Sequence, residues 1–297
     1  MRSKNEAKNQ REVGRATRAY LIPVLTAVSL LAFAGNSILC RLALATREID
    51  AASFTSLRLI SGALVLGALA APTLRAGPWP GSVGSTSALV LYAAPFSFAY
   101  VRLGTGVGAL ILFGCVQATM IGWGVARGER APITVWIGLS IALAGLVGLT
   151  LKGRSSPDPM GAAAMALAGL AWGIYSLRGR TSSAGPLAAT AANFLGSVPI
   201  AVGLCALAVA SGTVHASMRG LVLAATSGAL TSGLGYSLWY SALKRLSATR
   251  AAIVQLLVPI LAAGGGIIVL GEPVSIRVAA AGSAILGGVA IALRPSS

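Results

Sequence analysis

The side chains able to do covalent or acid–base chemistry in this chain are few and poorly placed for it. All seven acidic residues, Glu6, Glu12, Glu48, Asp50, Glu129, Asp158 and Glu272, fall in a terminal segment, a connection or the edge of an apolar run. No two are set as a pair for proton transfer. His215 is the single histidine and lies in a connection, so neither a Ser-His-Asp arrangement nor a Cys/His metal cluster can be assembled. Cys40, Cys115 and Cys205 are odd in number and sit inside apolar runs, as small core residues do, rather than the paired, loop-borne cysteines of a disulfide framework. The reading is of a protein that is not an enzyme, with no metal and no cofactor.

What remains is binding chemistry. Asn36, Gln117 and Gln255 are amides deep in long apolar stretches; in hydrocarbon they need partners, which either a solvated pathway or an interhelical hydrogen bond would supply. Tyr92, Phe96 and Tyr100 recur every four residues and so share one helical face. Trp172 and Tyr175 share another face, and Tyr236, Trp239 and Tyr240 crowd a third stretch. Surfaces of this kind hold apolar or aromatic side chains by shape, with hydroxyls and amides serving a polar backbone. Arg58, about two turns into its run by helical rise, reads as snorkelling to the interface; the other reading is a partner for a substrate carboxylate.

These groups must be positioned by elements suited to a membrane. Of the 297 residues only 10% are charged and 56% are hydrophobic, with a mean hydropathy of +0.81, whereas a soluble domain carries about 25% charged residues. A span needs about 20 apolar residues. Breaking the chain at charges and Gly/Pro/Ser clusters predicts ten: 20–44, 52–71, 84–101, 105–126, 132–151, 160–177, 187–210, 219–242, 248–270 and 275–293. The connections leave no room for a soluble domain. The apolar stretch from Ala19 to Cys40 exceeds the core of a signal peptide and reads as a retained first helix behind a basic cytoplasmic tail, 1–19.

The net charge of +16 belongs to topology rather than to nucleic acid, because the basic residues stand singly between apolar runs. With both termini cytoplasmic, Arg75, Arg127, Arg130, Arg178, Arg180, Lys244, Arg245, Arg250 and Arg294 join the basic tail on one side, against Arg41, Arg47, Arg102, Lys152, Arg154, Arg219 and Arg277 on the other. That bias satisfies the positive-inside rule.

A shift of 143 positions lays Arg102-Leu103 on Arg245-Leu246 and Gly128-Glu129 on Gly271-Glu272, and places Phe96 on Trp239. A shift of 139 places Phe33, Asn36 and Arg41 on Trp172, Tyr175 and Arg180. The chain therefore reads as an all-α membrane protein of two five-helix repeats, 20–151 and 160–293, inverted because five is odd. Such repeats characterise secondary transporters. Glu129 and Glu272 read as structural, accepting from backbone N–H groups at the start of the next helix. Pro259 with Gly264, Gly265 and Gly266 marks a hinge in span nine. The glycine pairs Gly104/Gly108, Gly124/Gly128 and Gly169/Gly173 predict close helix approach.

Phe33-Ala34-Gly35-Asn36 with Arg41, and Gly128-Glu129 and Gly271-Glu272-Pro273, each followed by a glycine-rich helix, resemble the motifs of the drug/metabolite transporter superfamily, EamA type. Phe33 and Ala34 stand where the family carries Trp-Gly. The aromatic content of helices three, six and eight is similar to that of the family's aromatic amino acid exporters. The resemblance implies a multi-pass protein of the bacterial inner membrane that exports amino acids and related metabolites through a cavity built from helices 1, 3, 4, 6, 8 and 9. Its partners would be a small-molecule substrate and the lipid bilayer, and a monomer suffices. The missing buried carboxylate favours facilitative export. The alternatives are a same-fold exporter of drugs, nucleosides or other metabolites, with proton coupling open, and a non-transporting scaffold or lipid flippase.

Overall fold

A computed structural model describes residues 2–129, 132–150, 157–273 and 275–292, with side chains described from residue 21 onward except at 146–150 and 289. The charged side chains of the expected tail, with Arg130, Lys152, Arg154 and Arg294, lie outside the described residues. The chain is 84% helical. The helices are α1 (Arg2–Ala45), α2 (Ala51–Ala76), α3 (Val83–Arg102), α4 (Thr105–Ala126), α5 (Ile133–Thr150), α6 (Pro159–Thr181) and α7 (Pro186–Ala210), followed by α8 (Met218–Thr226), α9 (Gly235–Leu243), α10 (Ala248–Gln255), α11 (Val258–Leu270) and α12 (Ile276–Ala292). A π-helical segment, Ser227–Leu234, joins α8 to α9 without a break.

Side-chain caps start the helices across very short connections. Asp50, Ser82, Asp158, Ser217 and Ser247 each accept a backbone N–H three residues on, at 2.8, 3.2, 2.7, 3.0 and 3.1 Å. Each satisfies one of the donors that a helix start leaves without an intrahelical partner. Seven helical stretches are long and apolar enough to cross a membrane: Leu21–Ala45, Ala51–Ala76, Thr105–Ala126, Pro159–Thr181, Pro186–Ala210, Met218–Leu243 and Ala248–Leu270. They coincide with seven of the ten expected spans. Ile133–Gly145 and Ile276–Ala292 are shorter apolar helices, and α3 is diluted by serines, tyrosines and Pro95.

The surface is apolar where a soluble protein would be charged. Leu64, Leu69, Val202, Leu230 and Ile268 are exposed, while Asn36, Arg58, Gln117, Asn193 and Gln255 are buried. This inside-out distribution suits hydrocarbon, where polar groups must find partners inside the bundle. Two of the expected small-residue contacts lie between α6 and α4. A Cβ on Gly169 would collide with the Leu112 carbonyl and meet Cys115 Cβ at 2.7 Å, and one on Gly173 would meet Thr119 Cβ at 2.7 Å. Gly169→Ala is expected to force these helices apart and to destabilise the fold by about 1–3 kcal/mol, read as an earlier thermal transition of the detergent-solubilised protein.

At one end of the bundle the connections 46–50 and 211–217 are zipped together. Ile49 and Ala216 form an isolated antiparallel bridge, Asp50 accepts the His215 N–H at 3.1 Å, and Glu48 accepts from the Ser217 hydroxyl and pairs with Arg219 at 3.4 Å. With Asp50 already engaged by two backbone donors, this end is closed by hydrogen bonds rather than by apolar packing alone.

Candidate functional site

The polar residues buried in the bundle converge on one cluster. Asn36, on α1, donates from Nδ2 to Tyr92 Oη at 3.1 Å. Its Oδ1 accepts from the hydroxyls of Ser227, Ser232 and Thr231 at 2.6, 3.2 and 3.3 Å. The three hydroxyls are presented by the π-helical segment, whose wider turn also leaves the Ser227 carbonyl to the Thr231 hydroxyl at 2.9 Å. Single π turns inside α-helices recur at functional sites because they re-aim side chains that a regular helix would spread around its circumference.

Arg58 completes the cluster and corrects its sequence reading. It is 1% exposed and does not snorkel. Its Nε donates to Ser232 Oγ at 2.8 Å, and its Nη2 donates to Tyr236 Oη at 2.6 Å and Tyr92 Oη at 3.1 Å. The guanidinium also lies 4.9 Å from the Phe96 ring centre and 5.1 Å from that of Tyr92. Neutral hydroxyls and ring faces hold the cation in place, so the interface offers it no advantage.

Around this centre the aromatic residues singled out in the sequence are packed ring against ring, mostly at tilted angles. Trp172 has ring centres at 4.5 Å to Tyr236, 4.9 Å to Tyr92, 5.1 Å to Phe33 and 5.6 Å to Tyr175. Its indole N–H donates to Gln255 Oε1 at 2.9 Å. Trp239 joins through Phe33 at 5.6 Å and donates to Ser176 at 3.2 Å. Gln117 stands apart, donating to the Ala252 carbonyl at 2.6 Å, and Tyr100 packs on Phe96 at 4.8 Å while its hydroxyl points to the Thr105 carbonyl at 3.4 Å. Ser227, Thr231, Ser232 and the siting of Arg58 were missed by sequence reasoning; the hydroxyl-rich stretch SGALTSGL inside a span was the available signal.

The two Gly-Glu pairs cap helices, but not the next ones in sequence. Gly128 and Gly271 take positive φ of 84° and 64°, a left-handed helix exit that glycine adopts without strain. The turn sends each glutamate back across the bundle. Glu272, after α11, accepts the Thr105 N–H at the start of α4 through both oxygens, at 2.8 and 3.0 Å, and pairs with Arg41 at 3.2 Å. Glu129, after α4, accepts the Ala248 and Thr249 N–H groups at the start of α10 at 3.1 and 3.3 Å, takes the Thr249 hydroxyl at 3.0 Å, and pairs with Arg180 at 3.3 Å. The sequence reading placed these acceptors at the following helix; the helix starts that lack donors' partners are those brought alongside by folding, 119 and 167 residues away.

Burial pushes the Glu129 carboxyl up, but the Ala248 and Thr249 donors and Arg180 outweigh it and hold it below the ordinary 4.5. A carboxyl lowered on folding contributes stability that is present above 4.5 and is lost as pH falls through its folded value. Glu129→Gln is therefore expected to flatten the acid limb of a melting-temperature profile below pH 4.5, leaving it parallel to the wild type above.

Span nine is broken at Leu256–Leu257, between α10 and α11, with Pro259 in the first turn of the second piece. Proline offers no N–H to the preceding turn, so the interruption lies upstream of the expected glycines. Gly264, Gly265 and Gly266 lie in continuous helix; a Cβ on Gly266 would meet Thr105 Cβ at 2.9 Å, which makes that glycine a point of close approach to α4.

Two cavities lie outside the cluster. A polar one of about 300 Å³, lined by Ser82, Ser85, Arg178, Asn193 and Tyr240 among others, opens at the end carrying the connection 182–185. Its floor leads inward: Tyr240 lies 5.1 Å from Tyr175, and Tyr175 lies 6.4 Å from Tyr236, whose hydroxyl reaches Arg58. An apolar one of about 470 Å³ lies beside α4, α11 and α12 and includes Val107, Leu110, Pro259 and Ile260. The expected cavity of helices 1, 3, 4, 6, 8 and 9 is thus occupied at its centre by packed aromatic rings, and Arg58 brings α2 into it. Among the described residues no group of three or more His, Cys, Asp or Glu side chains is placed to hold a metal ion.

Along its length the chain is similar to known proteins. A family model described as the EamA-like transporter family matches residues 159–294. An uncharacterized protein of Pseudomonas aeruginosa is 50% identical over 273 residues, covering 92% of this chain and 94% of that protein. A solved crystal structure superposes with a TM-score of 0.65 at 19% identity, covering 90% of this chain and 97% of that one; at that identity the likeness speaks to the fold. With a family match over the second half and a half-identical relative along nearly its whole length, the chain belongs to the EamA-like transporter family and is a membrane transporter.

Proposed function

We propose that the chain exports neutral amino acids, aromatic ones among them, across the bacterial inner membrane, with both termini in the cytoplasm, by alternating access between two inverted five-helix repeats. The observation that carries this reading is the buried cluster of amide, hydroxyl and aromatic groups centred on Asn36, where α1, α2, α3 and the π-helical segment meet. Its rings suit apolar side chains, and its hydroxyls and amides suit an amino-acid backbone.

The reciprocal caps support the inverted repeat. The residues 143 positions apart, Glu129 and Glu272, sit at opposite ends of the bundle and hold helix starts that are themselves related by the same shift, Ala248 and Thr105. Arg180 and Arg41, which pair with them, are related by the shift of 139. Export down a gradient is favoured because every acidic side chain described, Glu48, Asp50, Glu129, Asp158 and Glu272, stands at a helix end or in a connection, leaving the buried cluster no carboxylate to carry a proton.

Uptake of radiolabelled Phe, Thr and Met into liposomes containing the pure protein is expected to saturate and to proceed without a proton or sodium gradient. No flux of any amino acid sinks the proposal. In a background lacking Cys40, Cys115 and Cys205, Arg102→Cys and Arg245→Cys are expected to react with a membrane-impermeant maleimide from opposite faces. Labelling from one face only would end the inverted-repeat reading.

A further inference from the structure

We propose that Arg58 anchors a carboxylate of the cargo, so that the pathway selects small molecules bearing a carboxylate over amines of the same shape. The inference rests on the transport reading and deepens it by naming the group that the centre recognises.

The charge of Arg58 has no counter-ion. Among the described residues four ion pairs form, Arg41–Glu272, Arg102–Asp158, Arg180–Glu129 and Arg219–Glu48, and all four use acids at helix ends or connections. Arg58 sits about 10 Å below the start of α2 by helical rise, 1% exposed, with only the neutral hydroxyls of Ser232, Tyr92 and Tyr236 as acceptors. A guanidinium carries five N–H donors in a planar fork. Nε and Nη2 are engaged, but Nη1 is buried without a partner. An uncompensated cation inside a membrane protein is costly and is retained where it meets an ion or substrate. The missing partner is an anion, and a carboxylate matches the fork geometry.

A route to it is laid out from the polar cavity. Arg178 lines that cavity, held toward it by Ser85 and Ser82 at 3.1 and 3.2 Å, and takes no part in the four ion pairs. Two further buried polar atoms lack partners along this route, Asn193 Oδ1 on a residue of the cavity lining and Tyr175 Oη behind the lining residue Tyr240. Asn193 Oδ1 is an acceptor and suits a cargo ammonium, so a zwitterion finds complementary groups on one path. One arginine among aromatic rings fits a single negative charge; a phosphorylated cargo would need a cluster of cations.

The test uses the solubilised full-length chain and three probes of one shape: phenylalanine, 3-phenylpropionate and phenethylamine. In titration calorimetry, phenylalanine and 3-phenylpropionate are expected to bind, and phenethylamine to bind at least about tenfold more weakly. Arg58→Gln, which removes the charge but keeps a hydrogen-bonding side chain, is expected to weaken the two carboxylates by about 10- to 100-fold, the loss expected for a hydrogen bond to a charged group. Arg58→Lys should recover part of it. Equal binding of the amine and the acids by the wild type overturns the proposal whatever the variants do, and so does unchanged carboxylate affinity in a folded Arg58→Gln. The two readings separate cleanly: binding of 3-phenylpropionate with no amino-acid flux in liposomes removes the transport proposal and leaves the anchor, whereas amino-acid flux inhibited equally by all three probes removes the anchor and leaves transport.

Discussion

Asn36→Ala will reduce amino-acid flux by about 100-fold or more while leaving a folded protein. The reason is the number of groups that depend on one amide. Asn36 Oδ1 is the shared acceptor for Ser227, Thr231 and Ser232, and its Nδ2 holds Tyr92. Ser232 in turn accepts from Arg58, and Tyr92 accepts from it as well. An alanine leaves three hydroxyl donors without their acceptor in a dry interior, and each orphaned buried polar group costs about 1–3 kcal/mol. Rearrangement of the π-helical segment recovers some of that, so a net shift near 3 kcal/mol at the site, about 100-fold, is the expectation. Initial rates of phenylalanine uptake in liposomes measure it, with a thermal melt as the control for folding. Asn36→Asp sharpens the reading: a carboxylate there would supply the counter-ion that Arg58 lacks, and the variant is expected to melt no earlier than the wild type yet transport as poorly as the alanine. Wild-type flux in Asn36→Ala would remove the cluster from the pathway.

The helical spans were legible because a bilayer imposes a length, and runs such as Ala248–Leu270 can hardly be read otherwise. The Gly-Glu pairs were legible as helix ends because glycine in a left-handed exit followed by a carboxylate is a local device. Their partners were not, since Thr105 and Ala248 lie far away in sequence and only packing brings those helix starts alongside. Arg58 shows a different limit. Its position along α2 gives its depth, but snorkelling depends on which face it projects from, and it shares a face with the buried Thr55, Leu59 and Gly62. The π-helical segment was invisible to a periodicity of 3.6, because a wider turn shifts every later side chain around the axis. Amides, tyrosines and tryptophans inside apolar runs were a sound guide to the cluster, as eight of the ten residues named from sequence meet there, while Gln117 and Tyr100 serve helix contacts nearer α10 and Thr105. In span nine, proline rather than the glycine triplet sets the break, because a missing N–H interrupts the ladder whereas glycines only lower helix propensity.

Glu272→Ala and Glu129→Ala should drive the protein toward opposite conformations. The helix α4 and the broken helix α10–α11 run side by side, and each ends in a glutamate that caps the start of the other. At one end Glu272 binds the first N–H of α4 and Arg41; at the other Glu129 binds the first N–H groups of α10 and Arg180. Parting the two helices at either end means breaking that end's cap, and nothing at the far end need change. Both caps are made in this structure. The carboxylates are about four-fifths shielded, with exposures of 20% for Glu272 and 23% for Glu129, so solvent screens them only partly. Charge-assisted bonds to the Thr105 N–H for Glu272, or to the Ala248 and Thr249 N–H groups for Glu129, plus an arginine give each cap a worth of about 3 kcal/mol. Removing one should therefore bias the open-to-closed ratio at its end by about 100-fold. Single cysteines at Val107, near the Glu272 end, and Val125, near the Glu129 end, report it through their rates of maleimide labelling. Glu272→Ala is expected to speed labelling at 107 and slow it at 125, and Glu129→Ala to do the reverse. Under the proposed alternating access, each variant is expected to transport poorly because its cycle would stall on one side. The double variant, with both caps weakened alike, should recover flux relative to either single one, since alternating access depends on the difference between the two ends rather than on the strength of each. Single variants that shift both cysteines in the same direction would show the caps to be static braces.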